Sequence, residues 1–351
     1  MSNAAQDPAL ETLLLPVFEG RLIWPADGAL FLNARDGWPL HRQPLPGLVA
    51  GQQFKPAFDA LQRSGVELFD EADERRFPLV MLLPPRQRSE ARALYAHALS
   101  RLMDGGVVLA CQANDEGAKS AEADLAKLIG PLTVVSKNKC RVYWSQPGSA
   151  INSTLLEQWR GLDAVRPIAD GRFLSRPGVF AWDRIDLASK LLAESLPSDL
   201  RGRAADLGAG YGYLSVALLS RCAGIMSLDC FEADARALEL CRRNLEADAK
   251  RLPISCHWHD VTSGVPGRYD VIVCNPPFHA QVGAERPDIG RRFIEVAAEA
   301  LNPGGRLWLV ANRHLPYELA LKTGFDAVNT ITQQGGFKII EAVKSRKAGV
   351  R

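Results

Sequence analysis

The sequence predicts an α/β protein made of two similar sheet-and-helix units in tandem, the first of them degenerate, with the chemistry confined to the second. Three observations carry this. From Phe77 onward, apolar runs of strand length alternate with amphipathic helical stretches, the pattern of a mostly parallel sheet covered by helices. One order of turn residues occurs twice. A glycine-rich turn directly after a strand occurs only in the second half.

In the first half, Leu79–Leu83 reads as a strand closed by Pro84-Pro85 and Arg88–Met103 as an amphipathic helix. Asp104-Gly105-Gly106 reads as the helix's C-terminal turn and Val107–Cys111 as a strand. A helix over Glu116–Ile129 and strands at Leu132–Val135 and Cys140–Trp144 follow. The end of the chain repeats the order. Ile272–Asn275 is a strand closed by Pro276-Pro277, Ile289–Leu301 a helix, Pro303-Gly304-Gly305 a turn and Leu307–Ala311 a strand. A helix over Tyr317–Lys322 and a strand at Phe337–Val343 complete it. The landmarks pair Gly105-Gly106 with Gly304-Gly305, Asn114 with Asn312, and Lys139 with Lys338, as a long-period duplication would. Pro147–Thr154, rich in Gly, Ser, Asn and Pro, marks the boundary, giving one unit over 1–150 and another over 151–351. Residues 1–75 mix short apolar runs with turns and yield no strand order.

Length and composition narrow the class. A chain of 351 residues, 47% hydrophobic and 23% charged, can bury two cores. A net charge of +2 excludes a global basic field, so any nucleic-acid surface must be local. The seven cysteines include no C-x-x-C pair and read as free thiols of a reduced, cytoplasmic protein without disulfides or a zinc knuckle. Leu10–Ile23 is broken by Pro16, Glu19 and Arg21 and is neither a signal peptide nor a membrane span. His257 and His259 share a strand face but lack a third ligand, so no metal is expected; nor is a membrane partner.

The site residues lie at predicted strand ends. Arg203–Leu207 runs into Gly208-Ala209-Gly210-Tyr211-Gly212 and then a helix over Tyr213–Arg221. Such a turn brings backbone N–H groups and a helix N-terminus close to a ligand without Cβ obstruction. Asp206 suits an ammonium group and is a poor neighbour for a pyrophosphate. The strand Ile225–Phe231 ends at Glu232, placed to grip ribose hydroxyls, with Asp229 inside it the weaker candidate. Ile254–His259 ends at Asp260-Val261, where the acid can accept from an adenine N6 and the valine can lie against the ring. Ammonium, ribose and adenine without phosphate describe S-adenosylmethionine.

The strand Val271–Cys274 ends at Asn275-Pro276-Pro277-Phe278-His279. The Asn275 amide and the Pro276 carbonyl can accept from an exocyclic amine while Phe278 stacks on the base. The first unit has Leu83-Pro84-Pro85-Arg86 there, with neither amide nor ring. Between the units, Phe173–Phe180 reads as a short strand broken by a turn and Ile185–Leu196 as a helix capped by Asp183 or Asp186. Phe180 and Asp186 would stand at the rim of the pocket.

Asp206–Gly210, Glu232, Asp260 and Asn275–Phe278 resemble the motifs of class I methyltransferases that modify amino nitrogens. Phe278-His279, the Val310–Leu315 segment, Pro177–Phe180 and the degenerate first copy narrow the resemblance to the ribosomal RNA small subunit methyltransferase C family, guanine-N2 enzymes, over residues 75–345. The resemblance implies two Rossmann-like class I methyltransferase domains and, in the second, a seven-stranded sheet ending in a reversed hairpin. It also implies a first domain that no longer binds cofactor and serves RNA docking or folding support. The implied reaction is methyl transfer from S-adenosylmethionine to N2 of a guanosine in 16S ribosomal RNA, by a monomer. Asp206, Gly208, Gly210, Glu232 and Asp260, with Val261 and Asn275 beside them, would hold the cofactor, and Asn275, Pro276 and Phe278 the base. Ala209 departs from the family, where cysteine is common.

RNA contacts are expected from His279, Asn312 and Arg313. Lys137, Lys139 and Arg141 with Tyr143 and Trp144 could form a further RNA-facing edge, though exposed charges alternate along most strands. The tail Lys344, Arg346, Lys347 and Arg351 is by default a solvated terminus, with phosphate contact as the alternative. The rival readings are a large-subunit (23S) guanine-N2 enzyme, to which Val310–Leu315 is also similar, a protein glutamine-N5 methyltransferase, and a non-catalytic RNA-binding assembly factor. An NAD(P)-dependent oxidoreductase is disfavoured by Asp206 and by the glycine spacing.

Overall fold

The computed structural model describes residues 7–277, 287–315 and 317–346. It divides into two compact units, Met1–Val165 and Arg166–Arg351. The first holds β1 (Ala29–Leu32), β2 (Leu48–Gly51), β3 (Glu67–Leu68), β4 (Phe77–Leu82), β5 (Leu102–Ala113), β6 (Leu132–Lys137) and β7 (Cys140–Ser145). Their order in the sheet is β3-β2-β1-β4-β5-β7-β6. The second unit opens with a small hairpin of β8 (Arg166–Ile168) and β9 (Phe173–Ser175). Its main sheet contains β10 (Arg201–Leu207), β11 (Gly224–Glu232), β12 (Ile254–Trp258), β13 (Tyr269–Cys274), β14 (Leu301–Asn312), β15 (Ala327–Gln334) and β16 (Phe337–Val343). The order there is β12-β11-β10-β13-β14-β16-β15, strand for strand that of the first unit. In both, five parallel strands are followed by an antiparallel hairpin.

The fold follows from burial on both sheet faces. Along β13, Val271 and Val273 pack in one cluster with Leu192, Leu214 and Leu218, while Ile272 and Cys274 pack in another with Ile294, Ala297 and Leu321. A strand buried on both faces reads as an unbroken apolar run. The paired glycine landmarks are bulges inside strands, not helix C-caps. Register slips between Phe77 and Leu79 against β5, and between Tyr269 and Val271 against β14. A Cβ on Gly106 would sit 2.9 Å from the Pro78 carbonyl oxygen, and one on Gly305 2.9 Å from that of Asn302. Both bulges therefore demand glycine.

Other expectations need correction. The register pairs Ala113 with Cys140 and Asn312 with Phe337, so Asn312 corresponds to Ala113, one residue before Asn114, and Lys338 corresponds to Arg141, two residues beyond Lys139. The helix Ser153–Arg160 belongs to the first unit: Trp159 is buried there, its ring 6.5 Å from that of Tyr95, which moves the division from 150 to 165. Tyr143 and Trp144 are buried in the first unit's core and Arg141 is paired with Glu122 at 2.9 Å, so the aromatic half of the alternative RNA edge faces inward. Among the described residues, no helix is long and apolar enough to cross a membrane.

A candidate active site at the carboxyl edge of the second sheet

After β10 the chain turns through Gly208, Gly210 and Gly212 at φ +76°, +55° and +92°, the left-handed region that side chains resist. The turn is fastened to β11. Gly208 and Ala209 N–H donate to the Phe231 carbonyl at 2.9 and 3.0 Å. Gly210 N–H donates to Glu232 Oε2 at 2.8 Å, and the other oxygen of Glu232 accepts from Asp234 N–H at 2.8 Å. Glu232 thus clasps the turn to the start of the helix Ala235–Asn244. Burial pushes its carboxyl up from the ordinary range.

Asp206 is fully buried below the turn. Its Oδ2 accepts from Ser215 Oγ at 2.7 Å, while its Oδ1 has no partner in the protein. Burial, assisted by the nearby Glu232 charge, raises its pKa to about 7.

Asn275 stands just beyond β13. Its Nδ2 donates to Asp186 Oδ2 at 3.1 Å and to Ser189 Oγ at 2.8 Å. Asp186, not Asp183, caps the helix Leu187–Ser195, the same Oδ2 accepting from Ser189 N–H at 2.8 Å. A carboxylate accepts only, so the Asn275 amide is oriented with nitrogen toward Asp186 and oxygen away. That oxygen is buried and has no protein partner. Asn275, Asp186, Ser189, Gly208, Gly210 and Phe180 line one cleft, with the Phe180 ring 66% exposed on its rim. Ser189 was missed from the sequence, although its spacing from Asp186 is that of a helix-capping pair.

Among the described residues, the remaining candidates do not line this cleft. Asp260 Oδ1 accepts from Thr262 N–H at 2.9 Å and Thr262 Oγ1 at 2.7 Å, capping the short turn in which Val261 is buried. Asn312 ends β14, and Arg313 is exposed beyond it. Pro276 is buried; Phe278 and His279 lie outside the described residues, as do Lys347 and Arg351. Asp229 is engaged with Arg203 at 2.6 Å and the Tyr269 hydroxyl at 2.9 Å, a structural role. His257 and His259 have separate partners, Asp229 at 3.3 Å and the Gly264 carbonyl at 2.5 Å.

Residues 170–341 match the methyltransferase small domain family. The ribosomal RNA small subunit methyltransferase C of Salmonella newport is 32% identical over 265 residues, 75% of this chain and 75% of that protein. The chain belongs to the ribosomal RNA small subunit methyltransferase C family. The methyltransferase C of Shewanella halifaxensis is 30% identical over 78% of this chain and 79% of its own. The fold is similar, with a TM-score of 0.80 and 28% identity, to a T. thermophilus 16S rRNA N2 methyltransferase solved with AdoMet and guanosine. That similarity covers 97% of this chain and 93% of the other, so both Rossmann-like units are part of the methyltransferase C fold.

Proposed function

We propose that this chain transfers a methyl group from S-adenosylmethionine to the exocyclic N2 of a guanosine in small-subunit (16S) ribosomal RNA. The observation that carries the reading is the Asn275 amide, held by Asp186 and Ser189 with its oxygen buried and unpartnered beside the glycine turn. A buried acceptor without a donor calls for a ligand that supplies one. The residues also fit the cofactor. Asp206 Oδ1 is a second unpartnered buried acceptor, suited to an ammonium, and a Cβ on Gly210 would meet nothing within 4 Å, leaving open space at the turn.

S-adenosylmethionine supplies the electrophilic methyl. Asp206 is assigned to the ammonium, the backbone of Gly208 and Gly210 to the turn's contacts, Glu232 to ribose through the lone pairs its two backbone bonds leave, and Asp260 with Val261 to adenine. A guanine N2 lone pair is delocalised and a poor nucleophile. Asn275 Oδ1 and the Pro276 carbonyl accept its two N–H bonds and localise that lone pair, a preorganised electrostatic contribution. Fixing the amine in line with the methyl supplies the larger share of the acceleration.

The base must leave its stack to reach Asn275. Phe278 is assigned to one face of it and Phe180 to the rim. The amine becomes acidic only after methylation, so no strong base is required, and His279, Asn312 and Arg313 are assigned to RNA contact. The first unit supports RNA docking or folding. We place the protein in the cytoplasm as a monomer acting in ribosome biogenesis.

The test is incubation of deproteinised RNA and assembled small and large subunits with methyl-labelled cofactor, followed by nucleoside digestion. Label on N2-methylguanosine of small-subunit RNA supports the assignment; label on adenosine N6, on large-subunit RNA or on protein overturns it.

A further inference from the structure

Behind the glycine turn, three cysteines converge that methyl transfer does not use. Cys230 of β11 and Cys256 of β12 are direct register partners, so their side chains share one sheet face. Cys241, near the end of the helix Ala235–Asn244, packs onto that face, and the three Sγ atoms lie within 4.8 Å of one another. Cys230 and Cys241 are buried and Cys256 is half-buried.

We propose that these thiols form a binding site for a thiophilic d10 cation of the zinc–cadmium class, held by three thiolates with its open coordination position on the Cys256 side. Soft sulfur ligands select such ions. Three sulfurs at about 2.3 Å from one ion stand roughly 3.7–4 Å apart, so contraction by about 1 Å or less completes the set.

By composition alone the three residues read as inert core thiols, with no metal-ligand spacing among them. Their placement ties the site to the cofactor turn. Cys230 lies two residues before Glu232, its sulfur is 3.3 Å from Ser215 Oγ, the partner of Asp206, and a Cβ on Gly212 would stand 3.0 Å from Cys241 Sγ. An ion that draws the thiols together stiffens the floor of that turn.

The reduced full-length protein is titrated with Cd(II) while the sulfur-to-cadmium charge-transfer absorption is followed. A band that saturates at one equivalent, survives an equimolar addition of Zn(II) and is accompanied by a rise in melting temperature is expected. Cys256→Ser, at the half-buried position, should weaken Cd(II) by roughly 100-fold, because each thiolate supplies about a third of the ligand set. Cys222→Ser, outside the cluster, should leave the affinity unchanged. The inference is overturned if the folded protein gives no saturable band, or if the band survives unchanged in both Cys256→Ser and Cys241→Ala. Each variant is first shown to be folded by its melting transition.

Discussion

The register places Phe31 of the first unit where the second has Asp206, because each pairs with the residue two before its Pro-Pro-preceding position. Asn33, at φ +51°, stands where Gly208 does, and Leu83 where Asn275 does. Gln52 occupies the place of Glu232. It keeps the geometry, its Oε1 accepting from Gln53 and Phe54 N–H at 2.8 Å and its Nε2 donating to the Ala34 carbonyl at 2.7 Å, but carries no charge. Gln112 takes the place of Ala311, and its Nε2 reaches the carbonyls of Pro84 and Pro85 at 3.2 Å and of Glu116 at 3.1 Å.

Where the second unit leaves Asn275 Oδ1 and Asp206 Oδ1 unpartnered, the first has the apolar Leu83 and Phe31 in the equivalent places, and its own unpartnered acceptor is Gln112 Oε1, one strand over. One backbone plan thus serves two ends. Open acceptors beside the glycine turn make a reactive cleft, and apolar side chains in the same places make a stable block.

The sharpest way to break the contrast is to give the second unit the first unit's residue. Asn275→Leu should lower kcat by about a thousandfold, on the scale of removing one preorganised polar contact from a transition state, with cofactor affinity nearly unchanged. Single-turnover kinetics beside calorimetric titration of S-adenosylmethionine separate the two; a parallel collapse of affinity would move Asn275 into the cofactor pocket.

Asp206→Asn keeps the shape and removes the charge. Cofactor affinity should fall by about 30-fold, the worth of a charge-assisted hydrogen bond of about 2 kcal/mol. Because burial raises Asp206 to about 7, parent affinity should climb as pH rises through that value, and the variant should show a flat profile. Stability runs the other way. A carboxyl raised in the folded state contributes stability below its unfolded pKa and loses it as pH rises through about 7. The variant should therefore melt above the parent at pH 8 and lose that advantage in acid.

Ser189→Ala removes one of the two acceptors that orient Asn275. A loss of about fivefold in kcat with KM unchanged is expected, matching one hydrogen bond of about 1 kcal/mol. A pure KM effect would place Ser189 on the substrate instead. The smallest effect on turnover belongs to Gln112→Ala in the first unit. It should cost about 1–3 kcal/mol in denaturant unfolding by leaving carbonyls unsatisfied, with activity at saturating substrate preserved.

Much of this was legible before the structure. The tandem α/β plan, the glycine turn and the amide at the end of β13 all follow from local chemistry: two-sided burial, backbone that needs glycine, and prolines that stop a strand. The first unit's opening strands were not legible, since β1 and β2 have four residues each and β3 has two, too few to show a period. The division at 165 was hidden because what decides it is where Trp159 is buried, a tertiary fact. The Asn114 pairing failed by one position and the Lys139 pairing by two because landmark matching ignores register. The Cys230, Cys241 and Cys256 convergence was invisible for the same reason, as only the β11–β12 pairing brings two of them side by side.

The carboxylate of Asp186 serves two masters, starting the helix Leu187–Ser195 and holding the Asn275 nitrogen. The aim of the reactive amide is therefore set by a stretch of chain that enters before the first strand of the second sheet. A fragment beginning at Arg201 would retain all seven of that sheet's strands and the whole glycine turn, yet its amide would be free to rotate. Trimming the protein to a bare Rossmann-like core would leave something able to grip a methyl donor and unable to point an acceptor at it.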